Sequence, residues 1–158
     1  MSRVVYVNGQ YVPYRDAGVA VEDRGYQFGD AVYEVIEVKN GRLIDETRHL
    51  GRLDHSLKEL RMAEPMTRAA LKRVLREVIR RNRLGNGSLY LQVSRGVRPR
   101  DFLFPPDGTP PTVVCIARRA NPAKYNANVA KGIAIKTMPD IRWTRCDIKT
   151  VMLLPASL

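Results

Sequence analysis

The sequence predicts an α+β domain in which two helices pack on a mostly antiparallel sheet. Three observations carry this. Two Asn-Gly dipeptides sit between β-forming runs near the start of the chain. Two stretches with helical periodicity follow between residues 45 and 84. Strand-like segments separated by glycine and proline then return after residue 87. Strands, then helices, then strands is the order of an α+β fold.

The elements follow in order. "VVYVNGQYVP" places apolar residues on both sides of Asn8-Gly9, a hairpin signal, because Asn and Gly accept the positive φ angles of the tightest turns. "DAVYEVIEVKNGRLIDE" repeats the pattern around Asn40-Gly41, with Val32, Tyr33, Val35, Ile36 and Val38 as a half-buried strand. Between the hairpins, "VEDRGYQFGD" reads as a loop with functional potential. Leu50, Leu53, Leu57 and Leu60 then recur at helical spacing, with Asp45 or Thr47 as the cap and Pro65 as the stop. Thr67 caps a second helix running to Leu84, and "GNG" at 85–87 breaks the chain. "SLYLQVSRG" and "TVVCIARRA" read as strands around the proline-rich loop "VRPRDFLFPPDGTPP". "NPAKYNANVAKG" reads as a connector and "IAIKTM" as a last strand.

Composition is that of a globular protein. The chain has 158 residues, 44% of them hydrophobic and 27% charged, and a chain of this size buries about 68–70% of its unfolded surface. No stretch approaches the roughly 20 apolar residues of a membrane span, and no signal-peptide h-region is visible, so a cytoplasmic protein is expected. Cys115 and Cys146 form no CxxC pattern, and with two histidines no metal site is expected.

The net charge of +11, from 27 Lys and Arg against 16 Asp and Glu, raises nucleic-acid binding as a competing function. Much of the excess lies in "LKRVLREVIRRNR". There Arg73, Arg76, Arg80 and Arg83 form one stripe, and Leu71, Val74, Leu75, Val78 and Ile79 form another. An amphipathic helix with a solvated basic face accounts for this pattern. A basic nucleic-acid-binding module is the alternative, and its affinity would fall steeply with salt.

Three places could carry chemistry. Lys149 stands at the mouth of the apolar run "TVMLLP". Apolar surroundings favour the neutral amine, a nucleophile toward aldehydes, whereas a lysine that snorkels into water is the plainer reading. Arg95, Arg98 and Arg100 follow a strand and suit bidentate grip of carboxylates, or simply decorate a solvated loop. Arg52, between Leu50 and Leu53, borders an apolar stripe and could hold a phosphate, or cover its neighbours with its stem. "IKT" follows no glycine-rich loop, and "GYQFGDA" lacks GxGxxG spacing, so neither suggests a nucleotide site.

Taken together, "EDRGYQFGDAVYEV", "HLGRL", "LYLQVSRGVRPR" and "RWTRCDIKTVMLLP" resemble, in order and spacing, the fold-type IV enzymes that use pyridoxal 5′-phosphate. Within that group they are most similar to the D-amino-acid aminotransferases. The resemblance implies that Lys149 holds the cofactor as a Schiff base and carries the catalytic proton. It implies that Arg52 binds the cofactor phosphate, and that Tyr33, Tyr90 and Arg100 form the substrate-carboxylate pocket. The arginine loop is then delivered from a neighbouring subunit, so a homodimer is expected, with amino acid and 2-oxo acid as substrates and no nucleic acid or membrane partner. One position departs from the pattern: where these enzymes often carry a histidine, Phe102 stands here. A phenyl ring cannot donate to a carboxylate, which leaves branched-chain aminotransferase, amine transaminase and aminodeoxychorismate lyase of the same fold as alternatives.

The resemblance also implies a division into an N-terminal α+β domain (1–120), a connector (121–132) and the start of a C-terminal domain carrying the lysine (133–158). The rest of that second domain is expected to supply an acidic partner for the pyridine nitrogen and further phosphate contacts. By that expectation, the 158 residues alone do not hold the cofactor productively.

Overall fold

A computed structural model describes residues 3–157. Six strands form one antiparallel sheet in the order β2-β1-β6-β5-β3-β4. They are β1 (Val4–Val7), β2 (Gln10–Pro13), β3 (Ala31–Lys39), β4 (Arg42–Leu43), β5 (Gly87–Ser94) and β6 (Thr112–Arg119). Both predicted hairpins form, and their turns have positive φ at Asn8, Gly9, Asn40 and Gly41, as tight two-residue turns require.

Alternation along the strands sorts residues to two faces. Val32, Glu34, Ile36 and Val38 of β3 are buried on one face, with Leu89, Leu91 and Val93 of β5 and Val113, Cys115 and Ala117 of β6 beside them. Tyr33, Val35, Tyr90 and Gln92 point to the other face. Helices α2 (Glu46–Glu59) and α3 (Arg68–Arg81) cover the first face through Leu50, Leu53 and Leu57, and through Leu71, Val74, Leu75, Val78 and Ile79. The leucine and valine spacing that predicted these helices is the stripe that packs.

The helix ends differ in part from expectation. Thr67 caps α3 as predicted, accepting from the Ala70 N–H at 3.3 Å. That helix stops at Arg81, three residues early, because Asn82 turns its side chain to the start of β1. Asn82 Oδ1 accepts from the Arg3 and Val4 N–H groups, and its amide donates to the Val4 and Val78 carbonyls. Thr47 is no cap. Asp45 precedes α2 with φ of 51° and makes no side-chain cap bond.

Three segments depart from the sequence reading. The expected loop "VEDRGYQFGD" contains a short helix, α1 (Arg24–Phe28), because Asp23 accepts from the Gly25 N–H at 2.8 Å and Gly29 closes the helix in the left-handed region. The expected connector contains helix α4 (Pro122–Lys131), with proline at its first position, where no donor is lost. The expected strand "IAIKTM" is not a strand. Ile133, Ile135 and Met138 are exposed, and no strand among the described residues runs beside it, so its backbone has no ladder to join. A last short helix, α5, spans Leu154–Ser157.

The basic stripe of α3 is partly neutralised. Arg80 and Arg81 both donate to Glu77 at 2.7 Å and hold its carboxyl down to about 2, and Arg76 pairs with Glu46 across to α2. No helix among the described residues is long and apolar enough to cross a membrane.

Two outcomes test this packing. Leu75 is fully buried under the sheet, so Leu75→Ala should cost about 2–5 kcal/mol in denaturant unfolding. Burial pushes the Cys115 thiol up to about 12, whereas Cys146 is exposed. A thiol-specific disulfide reagent near neutral pH should therefore titrate Cys146 alone in the native chain, and both thiols after denaturation.

Candidate active site

The site is built on the free edge of β3. Its C-terminal end pairs with β4, and its N-terminal end pairs with the segment around Lys149. Thr150 bridges Val32, the Tyr33 N–H donates to the Lys149 carbonyl at 3.0 Å, and the Val151 N–H donates to the Ala31 carbonyl at 3.1 Å. Since Thr150 lies opposite Val32 in an antiparallel pair, Lys149 lies opposite Tyr33. Ile148 and Thr150 are buried toward the helices, which turns Lys149 to the face that carries the tyrosines.

The lysine meets that face closely. Lys149 Nζ stands 4.2 Å from the centre of the Tyr33 ring, a cation–π distance. Tyr33 stacks on Tyr90, ring centres 5.7 Å apart at 29°. The Tyr90 hydroxyl donates to Gln92 Oε1 at 2.6 Å, and burial, reinforced by Tyr33, pushes its pKa up, so it stays a neutral donor. A cavity of about 290 Å³ opens here, walled by Lys149, Tyr33, Trp143, Cys146, Met152 and Leu153. Gly29, which ends "RGYQFG", lies under this wall: φ is 66°, and a Cβ there would stand 2.6 Å from Met152 Cγ.

Arg52 stands on α2 and holds Glu34, the residue after Tyr33. Its Nε and Nη2 donate to the two carboxylate oxygens at 2.7 Å each, and His49 Nδ1 donates to Oε2 at 2.7 Å. The Glu34 hydrogen bond raises the Arg52 pKa, so its charge is constant. Glu34 is fully buried while Arg52 remains 46% exposed, and the Nη1 amino group takes no part in the pair. Arg52 can therefore keep one edge on Glu34 and offer another to an anion.

Neither Arg52 nor Arg100 walls the lysine's cavity: Arg52 stands with Glu34 on the helix face of the sheet, and Arg100 is elsewhere. It is exposed, its guanidinium lying 4.4 Å from the Phe28 ring centre and 5.9 Å from that of Phe102. The arginine cluster of the sequence reading is also divided. Arg95 is buried, donates to Asp30 Oδ2 at 2.7 Å and to the Leu60 and Arg61 carbonyls, and is committed to structure. Arg98 donates to Thr109 Oγ1 at 3.4 Å.

Sequence reasoning overlooked Glu34, His49 and Ser56. Glu34 had a signal, as the one polar residue in the inward series Val32, Glu34, Ile36, Val38. Ser56, beside Leu57 on the apolar stripe, is buried and accepts from the Lys149 N–H at 3.2 Å.

Comparison with known proteins matches residues 31–158 to the family described as amino-transferase class IV. The chain belongs to the class IV aminotransferase family. Its relatives include D-alanine aminotransferase of Staphylococcus haemolyticus, 38% identical over 150 residues, covering 95% of this chain and 52% of that one. D-alanine aminotransferase of Listeria monocytogenes is 40% identical over 151 residues, with the same coverage. The chain thus spans about half the length, 52%, of the curated relatives it matches. In fold, this class IV chain is similar to Escherichia coli branched-chain amino acid aminotransferase, with a TM-score of 0.68 and 24% identity over 76% of this chain and 42% of that one. It is also similar to 4-amino-4-deoxychorismate lyase from Pseudomonas aeruginosa, with a TM-score of 0.58 and 27% identity over 73% of this chain and 39% of that one.

The Arg52–Glu34 pair is asymmetric, and that can be measured. Removing Arg52 strands a buried carboxylate, so Arg52→Ala should cost about 3 kcal/mol. Removing Glu34 as well relieves the stranded charge, so the E34Q/R52A double variant should recover more than half of that loss in denaturant unfolding.

Proposed function

We propose that this chain carries the lysine-bearing part of a pyridoxal 5′-phosphate-dependent aminotransferase. It would move the amino group of a D-amino acid resembling D-alanine to a 2-oxo acid. The carrying observation is the placement of Lys149 Nζ against Tyr33 at the cavity wall, by an edge pairing that leaves the amine no other face. The names of the curated relatives support the substrate class.

The residues fit the cofactor. A cavity walled by Trp143, Tyr33 and Met152 suits a flat heteroaromatic ring and the lysine amine suits an aldehyde, while Arg52 Nη1, outside that cavity's wall, suits a phosphate. Bound pyridoxal 5′-phosphate supplies the aldehyde and the electron sink. The protein supplies the rest. Lys149 Nζ is the anchoring amine and the base that moves a proton at the substrate α-carbon. Arg52, fixed by Glu34, neutralises and orients the phosphate. The stacked Tyr33 and Tyr90 wall the substrate side, and the neutral Tyr90 hydroxyl is a donor.

Arg100 binds the substrate carboxylate from a second copy of the chain, which makes the enzyme a homodimer. Arg100 is not among the residues that wall the lysine's cavity within one subunit, which supports this reading, and a cytoplasmic location goes with it. The division into an N-terminal domain (1–120), a connector (121–132) and the lysine-bearing start of a second domain (133–158) belongs to the same proposal. A second reading within the fold has one observation in its favour. Phe102 is 86% exposed and offers no donor to a carboxylate, which suits a branched-chain amino acid, an amine lacking a carboxylate, or a lyase substrate.

Treating the chain with pyridoxal 5′-phosphate, reducing with borohydride and mapping the label by mass spectrometry should place it on Lys149. Label spread over other lysines instead would sink the assignment. With a chain supplying the rest of the second domain added, and D-alanine, an L-branched amino acid and a simple amine as donors, D-alanine should be preferred.

A further inference from the structure

Helix α2 holds the lysine-bearing segment at three points that the edge pairing does not explain. Arg145 Nη2 donates to Glu59 Oε2 at 2.5 Å. His55 Nε2 donates to Asp147 Oδ2 at 3.2 Å. The Lys149 backbone N–H donates to Ser56 Oγ at 3.2 Å. Residues 55, 56 and 59 form one face of the helix, and they meet a turn just before the edge pairing, which the Ile148 N–H closes by donating to the Arg145 carbonyl at 3.1 Å. Asp147 is further locked by Arg145, whose Nε and Nη2 donate to its two oxygens at 3.0 Å each.

The three points are not equal. The two ion pairs are partly exposed, and pairs of that kind hold weakly one by one. Ser56 is buried and its bond to the Lys149 N–H partly so, and without it that N–H loses its acceptor. Arg52 lies on the same helix one turn before Ser56, a rise of about 6 Å. One rigid rod therefore carries both the phosphate-binding arginine and the grip on the lysine.

We propose that Ser56, His55 and Glu59 are positioning residues that clamp Lys149, so that α2 sets the separation between phosphate anchor and lysine amine. This rests on the roles given to Lys149 and Arg52 above. The geometric demand is real: an amine displaced by an ångström from its reacting carbon loses much of its advantage.

The test uses the full chain with Ser56→Ala, and separately with His55→Ala and Glu59→Gln together. The second variant alters only partly exposed side chains and keeps the test open should Ser56→Ala not fold. Two readouts are taken: amide hydrogen exchange at Lys149, and the share of borohydride-fixed pyridoxal phosphate on Lys149 relative to the other lysines. In Ser56→Ala the Lys149 amide should exchange about tenfold faster while the core amides of β5 keep their protection. Its share of label should fall about fivefold in either variant, as expected for lost orientation rather than lost fold. Unchanged exchange, or faster exchange with unchanged labelling, overturns the clamp. If the unaltered chain fails to label Lys149 selectively, the assignment of the lysine fails instead, and an unchanged exchange rate still overturns the clamp.

Discussion

The site depends on one short antiparallel pairing, between Lys149–Val151 and Ala31–Tyr33. Two backbone hydrogen bonds at about 3 Å fix its register. A side-chain period of two does the rest. A slip of one residue would turn Lys149 into the helix-packed core and bring Ile148 to the tyrosine face. Register is held because Ile148 and Thr150 are buried on the core side, so the slip would bury an ammonium and expose an isoleucine. The hydrophobic effect that folds the domain thus also chooses the direction of the lysine. The pairing also covers part of a sheet edge, removing an unpaired row of donors and acceptors.

Glu34 poses the opposite problem. A carboxylate with no exposed surface is expensive, and its place in the alternation is one where an apolar residue would pack without penalty. It is compensated by three hydrogen bonds at 2.7 Å from two cationic or potentially cationic side chains on α2. The arrangement makes sense if the purpose is Arg52. An arginine left free on a helix surface samples many rotamers, whereas one gripped along its Nε edge presents the remaining amino group in a fixed direction. The fold accepts the cost of a buried charge in exchange for an oriented one.

Much of this was legible in the chain. The two Asn-Gly turns, the leucine spacing of α2, the valine and isoleucine spacing of α3 and the Thr67 cap all act through nearest neighbours in sequence, and all appear. Helix α1 was missed because a five-residue helix shows no period, and only the Asp23 cap and Gly29 mark it. The strand reading of "IAIKTM" rested on alternation alone, and alternation gives a strand only where a neighbour supplies the ladder. Lys149, Tyr33 and Tyr90 meet because of a register between residues more than 100 positions apart in sequence, which no local pattern encodes. Resemblance to a family could name these residues, while their mutual geometry needed the fold. The Ser56 bond belongs to the same class: a serine beside a leucine reads as a tolerated polar residue until the segment that meets it is in place.

The arginine loop shows how the same chemistry can serve structure at one position and leave another free. Asp30 Oδ2 receives both Arg24 Nε at 2.8 Å and Arg95 Nε at 2.7 Å, so one half-buried carboxylate faces two buried guanidinium groups. The surplus positive charge is met by aromatic faces: Arg24 lies 4.5 Å from the Phe28 ring centre and Arg95 lies 4.1 Å from that of Phe104. Arg24 then donates to the Asp101 and Leu103 carbonyls and so fastens the stretch that carries Arg100 and Phe102. Arg100 rests on the other available ring, Phe28, with its guanidinium exposed. Two arginines are therefore consumed in holding the loop, and the third is displayed by it. Under the proposed function, the displayed arginine serves a second subunit, since it does not wall the lysine's cavity in its own chain. Phe102 is exposed beside it, its ring centre 5.9 Å from the Arg100 guanidinium. Its ring offers apolar contact and no hydrogen-bond donor.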